Sequence, residues 1–192
     1  QTPAVTMMMG ADGIKRPLMG LAGGFGWEFR SLYTADPDWL LVGTDASGLE
    51  LRCLAHYLAV WDGGKFGRDV TEGDPHTSNQ NAAGLYLRDS AKTFIYAFLY
   101  GAGDEKLGSV VVADHIAAGK AIPKGSLKQL GASLRSRFLA NFPALRKLKA
   151  KIEATLKERD YLVGLDGRRL HVRSSHAALN TLLQSCGAIV MK

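Results

Sequence analysis

Two cations and two aromatic rings recur at four-residue spacing in the segment RDSAKTFIYAFLYG. The four residues are Arg88, Lys92, Tyr96 and Tyr100. Four residues advance an α-helix by about 6 Å and about 400°, so these side chains would follow one broad side of a single helix. Such a row can bind a triphosphate through its cations and place a ring against a nucleobase. The pattern is equally typical of an amphipathic helix with a solvated basic edge.

A carboxylate follows a short apolar run in the segment WLLVGTDASGLELRCLAHYLAVW. The run from Trp39 to Val42 predicts a buried strand that ends before Asp45, and an amphipathic helix should begin near Ser47. A carboxylate at the end of a buried strand is costly unless it is compensated, and Mg²⁺ shared with substrate phosphates is one compensation. Asp45 could equally cap the following helix. The segment therefore predicts either a metal ligand or a helix cap.

The two segments resemble motifs A and B of the family A DNA polymerases. DASGLELRCLAHYL is similar to motif A, and RDSAKTFIYAFLYGAG follows the motif B pattern of Arg, Lys, an aromatic residue and Tyr-Gly at four-residue steps. GDPHTSNQNAA and GLDGRRLHVRSSHAALNTLLQSCGA are further similarities in fitting order. The resemblance runs from about Gly26 to Lys192, and these motif sequences are most similar to those of the replicative polymerases of short-tailed phages.

The resemblance implies an α+β fold, mostly helical, that forms part of a right-hand polymerase. Residues 1–62 would be a partial palm with motif A, residues 63–159 the fingers with the motif B helix, and residues 160–192 a palm hairpin and helix.

Periodicity and turn residues predict the elements within these portions. Residues 1–26 and the Gly- and Asp-rich segment 61–76 should be connections. Asp166 and Gly167 mark the turn of a β-hairpin in YLVGLDGRRLHV. The predicted helices after the motif A helix span about 76–84, 88–101, 104–118, 126–139, 143–159 and 177–191.

The resemblance also implies roles for residues of a nucleotide site. Asp45 would bind metal through its carboxylate and Ala46 through its backbone carbonyl, within a pair of Mg²⁺ ions that assist phosphoryl transfer. Glu50 would exclude a 2′ hydroxyl, which argues against the related single-subunit RNA polymerases. Lys92 could protonate the leaving pyrophosphate. The residues expected to contact the triphosphate, sugar and base are His76, Arg88, Lys92 and Tyr96.

A second set of residues would contact primer and template. Arg30 would lie in the minor groove near the primer end, and Asn180 and Gln184 would make polar contacts from the last helix. Tyr100 and Gly101 would end the helix that pivots when the fingers close. By pattern alone, Asn180 and Gln184 also fit the polar edge of an amphipathic helix, and His76 also fits a turn or cap. His176 departs from the Arg of the bacterial branch.

Composition is consistent with a polyanionic partner inside the cell. The formal net charge is +6, and the stretch from Lys124 to Lys151 holds eight basic residues and no acidic one. Any one of these cations could also simply face water. Cys53 and Cys186 lie in apolar helical patterns and should be buried, which indicates neither a disulfide framework nor a zinc site. No membrane span or signal peptide is recognisable, which favours the cytoplasm, that of the host cell if a phage encodes the chain.

We therefore expect a DNA-directed DNA polymerase that adds deoxynucleotides to a primer 3′ hydroxyl during DNA replication. Its partners would be primer-template DNA and deoxynucleoside triphosphates, and the sequence does not identify a processivity factor. The sequence up to Lys192 lacks the His-Asp-Glu segment that carries the family's second metal-binding carboxylate. The chain alone should therefore bind nucleotide weakly and polymerise poorly. The alternative is a non-catalytic, nucleic-acid-binding remnant of such an enzyme.

Overall fold

The computed structural model of the chain describes residues 4–192. They fall into two units, one that ends at Ala46 and one that runs from Ser47 to Lys192. The described chain is mostly helical with two small antiparallel sheets, which confirms the expected class. The assignment of its parts to palm and fingers stays a prediction.

The first unit contains more regular structure than the sequence predicts. Strand β1 (Met7–Met9) pairs antiparallel with β2 (Lys15–Pro17), and helix α1 spans Gly26–Ser31. A 3-10 turn over Gly20–Gly23 precedes α1. The prediction of a connection over residues 1–26 is therefore wrong where these elements form, and residues 1–3 lie outside the described chain. Strands of three residues are too short to show an alternating pattern.

The predicted strand Trp39–Val42 does not form. These four side chains are 73% to 88% exposed. A strand needs a hydrogen-bonded neighbour. The two sheets in the described chain each consist of two strands, and neither includes this segment. Asp45 is exposed, so it does not end a buried strand. Gly48, rather than Asp45, occupies the N-cap position of the following helix.

The second unit is an array of eight helices and one hairpin among the described residues. The elements are α2 (Leu49–Asp62), α3 (Lys65–Glu72), α4 (Pro75–Ala83), α5 (Arg88–Leu99), α6 (Asp104–Ala117), α7 (Leu127–Asn141), α8 (Pro143–Glu158), β3 (Tyr161–Val163), β4 (Arg169–His171) and α9 (Ala178–Val190). The helices predicted here and the hairpin are confirmed, with ends that differ by two residues or fewer. Helix α3 was not predicted, because its Gly- and Asp-rich sequence is typical of a loop. The Asp62 carboxylate starts it by accepting bonds from the amides of Gly64 and Phe66.

Aromatic packing holds α5 against α7 and the start of α8. Phe138 is fully buried and contacts Phe94 edge to face at 4.9 Å between ring centroids, and Phe98 at 5.4 Å. Phe142 packs on the same ring at 5.6 Å. Aromatic pairs of this geometry add about 0.5–1.5 kcal/mol beyond the area that they bury. Phe138 thus packs against the side of α5 that faces away from Arg88 and Lys92.

Two glycines allow α6 and α7 to approach backbone to backbone. A Cβ atom on Gly108 would lie 1.9 Å from the carbonyl oxygen of Leu127, and one on Gly131 would lie 1.7 Å from that of Asp104. Both distances are far inside van der Waals contact, so no larger side chain fits at either position. The α6–α7 pair is therefore a closely packed helical hairpin.

A buried carboxylate on that hairpin fixes the beginning of α5. Asp114 is fully buried, and its two oxygens accept bonds from the backbone amides of Tyr86 at 2.9 Å and Leu87 at 3.0 Å. These amides precede the first turn of α5, where helical donors lack partners. The negative charge also lies at the positive end of the helix dipole. Asp114 therefore determines where Arg88 enters the helix.

Both cysteines are buried and free, as predicted. Cys53 lies on α2 and Cys186 on α9. Among residues 4–192, no helix has the length and apolar character needed to cross a membrane.

Candidate functional site

Four of the predicted nucleotide-binding residues line one cleft in the second unit. The cleft has a volume of about 420 Å³ and lies where the starts of α2 and α4 meet α5. Lys92 and Arg88 are exposed, while His76 and Tyr96 are half-buried. The residues that the structure brings together here are His76, Arg88, Lys92 and Tyr96.

The guanidinium of Arg88 is oriented by a carboxylate that the sequence analysis missed. Arg88 Nε lies 2.6 Å from Asp74 Oδ2 and Nη2 lies 2.9 Å from Oδ1, a two-pronged ion pair. Asp74 is also the N-cap of α4, since it accepts bonds from the amide of His76 and the hydroxyl of Thr77. The pairing with Arg88 and the bond from Thr77 hold the pKa of Asp74 well below its usual range. One side chain therefore begins α4 and positions the first cation of α5.

His76 presents an imidazole that favours its neutral form in the free chain. Burial, and then the charge of Arg88, lower its pKa below the usual value. Its Nδ1 atom is buried without a hydrogen-bond partner among the described residues. Its ring centroid lies 6.2 Å from that of Tyr96, at an interplanar angle of 50°. The imidazole and the phenol ring therefore share one side of the cleft.

A third cation, Arg52, lines the cleft from α2. Its Nε donates to the carbonyl oxygen of Ser47 at 2.9 Å. Arg52 was not among the predicted site residues. Its position in the motif A segment, two residues after Glu50, could have suggested that it lies near the site. The cleft thus holds Arg52, Arg88 and Lys92 against the single lining carboxylate of Asp74. This excess of positive charge suits a polyanionic ligand.

A separate cluster joins three predicted residues at the other end of α5. The Tyr100 hydroxyl donates to Glu50 Oε1 at 2.8 Å, and the Gln184 side chain interacts with the same hydroxyl. Asn180 lies one turn before Gln184 on α9 and is half-buried. Glu50 and Gln184 were assigned to different sets, so their meeting at Tyr100 is a relationship that the sequence did not reveal.

Gly101 follows this cluster in a conformation that favours glycine. Its φ is +79°, and a Cβ atom there would lie 2.6 Å from the carbonyl oxygen of His176. The end of α5 therefore passes the backbone before α9 at a distance that only glycine permits.

The first unit carries the remaining predicted residues. Arg30 is the last basic residue of α1 and is exposed, Asp45 is exposed, and Ala46 is half-buried. No group of three or more metal-ligating side chains occurs within residues 4–192. The binding of Mg²⁺ by the Asp45 carboxylate and the Ala46 carbonyl therefore stays a prediction, since two oxygen donors would form only part of the shell that this ion takes.

Related DNA polymerases match most of this chain. The DNA-directed DNA polymerases of Enterobacteria phage T3 and Escherichia phage T7 are each 49% identical to it over 168 residues, which cover 80% of this chain and 22% of the phage protein. The thermostable DNA polymerase I of Thermus aquaticus is 28% identical over 169 residues, or 83% of this chain and 18% of that enzyme. No protein-family model matches the chain. The chain therefore spans about a fifth of the length of these phage relatives.

Proposed function

This chain is a homologue of the family A DNA polymerases, and we propose that it is the part of a template-directed DNA polymerase that binds the incoming deoxynucleoside triphosphate. The observation that carries this proposal is the cleft formed by His76, Arg88, Lys92 and Tyr96. Three of these side chains can supply hydrogen-bond donors and positive charge, and the fourth supplies a ring.

The cations would bind the triphosphate. Arg88 and Lys92 lie one turn apart on α5, so both can reach oxygens of neighbouring phosphates. Arg88 is already oriented by Asp74, which lowers the cost of ordering its side chain when the ligand binds. Arg52 lines the same cleft from α2. Charge that develops on a leaving pyrophosphate would be stabilised by the same groups, and Lys92 is the donor placed to protonate it.

His76 and Tyr96 would complete the binding of the nucleotide. The buried Nδ1 of His76 lacks a partner among the described residues, and the ring can take up a proton when a phosphate arrives. The half-buried ring of Tyr96 offers a flat apolar surface to the sugar and base. Glu50, held by Tyr100, would restrict the space beside the sugar C2′ and so favour deoxyribose over ribose.

A divalent cation would enter with the nucleotide. Mg²⁺ lowers the pKa of a primer hydroxyl and neutralises phosphate charge when it is bound in such sites. In this chain the Asp45 carboxylate and the Ala46 carbonyl are the groups proposed to hold it. Arg30, Asn180 and Gln184 are proposed contacts to primer-template DNA.

The test is nucleotide binding by the chain itself. Fluorescent N-methylanthraniloyl-dATP should bind at low salt, and Lys92→Ala should weaken binding about tenfold or more, since one charged hydrogen bond contributes about 1.5–3 kcal/mol. Lys147→Ala, an exposed lysine on α8, is the matched control and should change nothing. Equal affinities of the wild type and Lys92→Ala would contradict the proposal.

A second readout separates a polymerase from a nucleic-acid-binding remnant. In the complete enzyme, Asp45→Ala should abolish deoxynucleotide incorporation and leave duplex binding nearly intact, because it removes a metal ligand and little else. Salt-dependent DNA binding without nucleotide binding or incorporation would instead favour the remnant.

A further inference from the structure

A second cleft lies between the segment that precedes α5 and the α6–α7 hairpin. Its volume is about 670 Å³, and it shares no lining residue with the nucleotide cleft. Tyr86, from the segment between α4 and α5, forms one wall, and Lys124 and Arg137 flank it from the hairpin. The function proposed above does not use this cleft.

The ring of Tyr86 is held in place yet left open to solvent. Its backbone amide is bound by the buried Asp114 carboxylate, and its ring contacts His115 edge to face at 5.0 Å between centroids. The residue nevertheless remains 49% exposed. A large ring that is fixed at its backbone, packed against one neighbour and still half-exposed can stack with another flat group at little ordering cost.

The charge around this ring is positive. Lys124 and Arg137 line the cleft, and Lys120 Nζ lies 5.9 Å from the centre of the Tyr86 ring. None of the lining residues in the described chain is acidic. Asp114 lies beneath the cleft, but its charge is satisfied by two backbone amides and by the N-terminus of α5.

We propose that this cleft binds single-stranded nucleic acid, with a base stacked on Tyr86 and phosphates bound by Lys124 and Arg137. A rigid aromatic face beside cations is the combination that binds single strands without sequence preference. A duplex would leave the ring unused, because its bases are already stacked. An acidic peptide would satisfy the cations and would likewise leave the ring without a role.

The experiment measures binding of fluorescein-labelled oligodeoxythymidine to the whole chain by fluorescence anisotropy. Tyr86→Leu should weaken binding about tenfold, while Tyr86→Phe should retain it, since stacking needs only the ring. Lys124→Ala and Arg137→Ala should each reduce the slope of log affinity against log salt by about 0.7. Lys106→Ala, an exposed lysine on α6 outside the cleft, is the control and should leave affinity and slope unchanged.

Location is tested by photocrosslinking. An oligonucleotide with 5-iododeoxyuridine should crosslink to Tyr86, as mapped by mass spectrometry, and polyglutamate should compete poorly. The proposal would be overturned if crosslinks formed only at other residues. It would also be overturned if Tyr86→Leu bound as tightly as the wild type and polyglutamate competed efficiently, which would indicate a general anion surface. Circular dichroism and thermal unfolding should match the wild type for each variant.

The outcome is separable from that of the nucleotide cleft. Lys92→Ala should leave the Tyr86 crosslink unchanged, and Tyr86→Leu should leave binding of N-methylanthraniloyl-dATP unchanged. A chain that failed to bind nucleotide but showed the Tyr86 dependence would still support the single-strand site.

Discussion

The Tyr100 hydroxyl donates a 2.8 Å hydrogen bond to the Glu50 carboxylate, and this bond ties the first turn of α2 to the residue that follows α5. The two residues lie 50 positions apart in the chain. The bond and the carboxylate charge, together with partial burial, raise the pKa of Tyr100 above its ordinary value.

Removal of the Glu50 charge should lower the pKa of Tyr100 toward its ordinary value. Glu50→Gln eliminates the charge that opposes formation of the phenolate, so the pKa of Tyr100 should fall. Ultraviolet titration of Glu50→Gln, compared with the Glu50→Gln, Tyr100→Phe double variant, isolates this one phenol. Tyr100→Phe should cost only about 0.5–1.5 kcal/mol of unfolding free energy. An unchanged titration would show that the bond does not persist in solution.

Asp74 should contribute to stability as a helix cap and, separately, as an ion pair. Asp74→Ala should lower the free energy of unfolding by about 1 kcal/mol, whereas Asp74→Asn should retain most of the cap. Ser126→Ala, at the capping box of α7, is the matched cap removal. Urea denaturation measures all three variants.

The ion-pair part of the Asp74 contribution should depend on pH. Because the folded-state pKa of Asp74 is depressed, this contribution is fully present above the unfolded pKa of about 3.9. It should be lost as pH falls through the lower folded pKa. Asp74→Asn lacks the group, so it should show less loss of stability in acid than the wild type. Equal acid sensitivity of the two proteins would contradict the role of the Arg88 pair.

Gly101 should tolerate no side chain. Gly101→Ala combines a positive φ with a collision against the carbonyl of His176, whereas Gly119→Ala combines a similar φ of +64° with open space. Strain of this kind costs about 1–3 kcal/mol. Gly101→Ala should therefore be clearly more destabilising than Gly119→Ala in urea denaturation. Equal losses would mean that α5 and the segment before α9 are farther apart in solution.

Binding of a triphosphate should involve uptake of a proton by His76. Burial and the charge of Arg88 lower the pKa of His76 in the free chain, and the negative charge of the ligand would raise it. The gain in affinity should be fully present below the free-state pKa and should be lost as pH rises through the bound-state pKa. Titrations with N-methylanthraniloyl-dATP across a pH series, repeated with His76→Gln, separate this effect from titration of the phosphate itself. Identical profiles would exclude the histidine.

The buried thiols should be unreactive in the folded chain. Burial, together with nearby Cys186, raises the pKa of Cys53 to about 12. The thiolate is the reactive form, so a disulfide reagent such as dithionitrobenzoate should react slowly until guanidinium unfolds the protein. Rapid reaction under native conditions would show that α2 and α9 separate readily.

Local signals in the sequence were sufficient for most helices of the second unit. The helix predicted from residue 126 begins with a capping box of Ser126 and Gln129, Pro143 begins α8, and Asp166 and Gly167 lie in the turn between β3 and β4. The failure at Trp39–Val42 has a different cause. Apolar residues make a strand possible, but a strand requires a neighbour, and pairing is not a local property.

In the candidate site, too, local signals could be predicted and contacts between distant segments could not. Spacing placed Arg88, Lys92 and Tyr96 on one helix, and the resemblance added His76. Asp74 was missed because its partner lies 14 residues away, and an ion pair across two helices has no local signature. The roles of these residues stay predictions, as do those of Asp45, Arg30 and Asn180.

The attachment of α5 to its neighbours has a mechanical consequence. Asp114 holds the start of α5 to α6, and Gly108 and Gly131 let the backbones of α6 and α7 pack directly against each other. A displacement of Arg88 and Lys92 toward a ligand would therefore move α5, α6 and α7 as one rigid unit. Such a unit would move both cations together and leave the spacing between them unchanged.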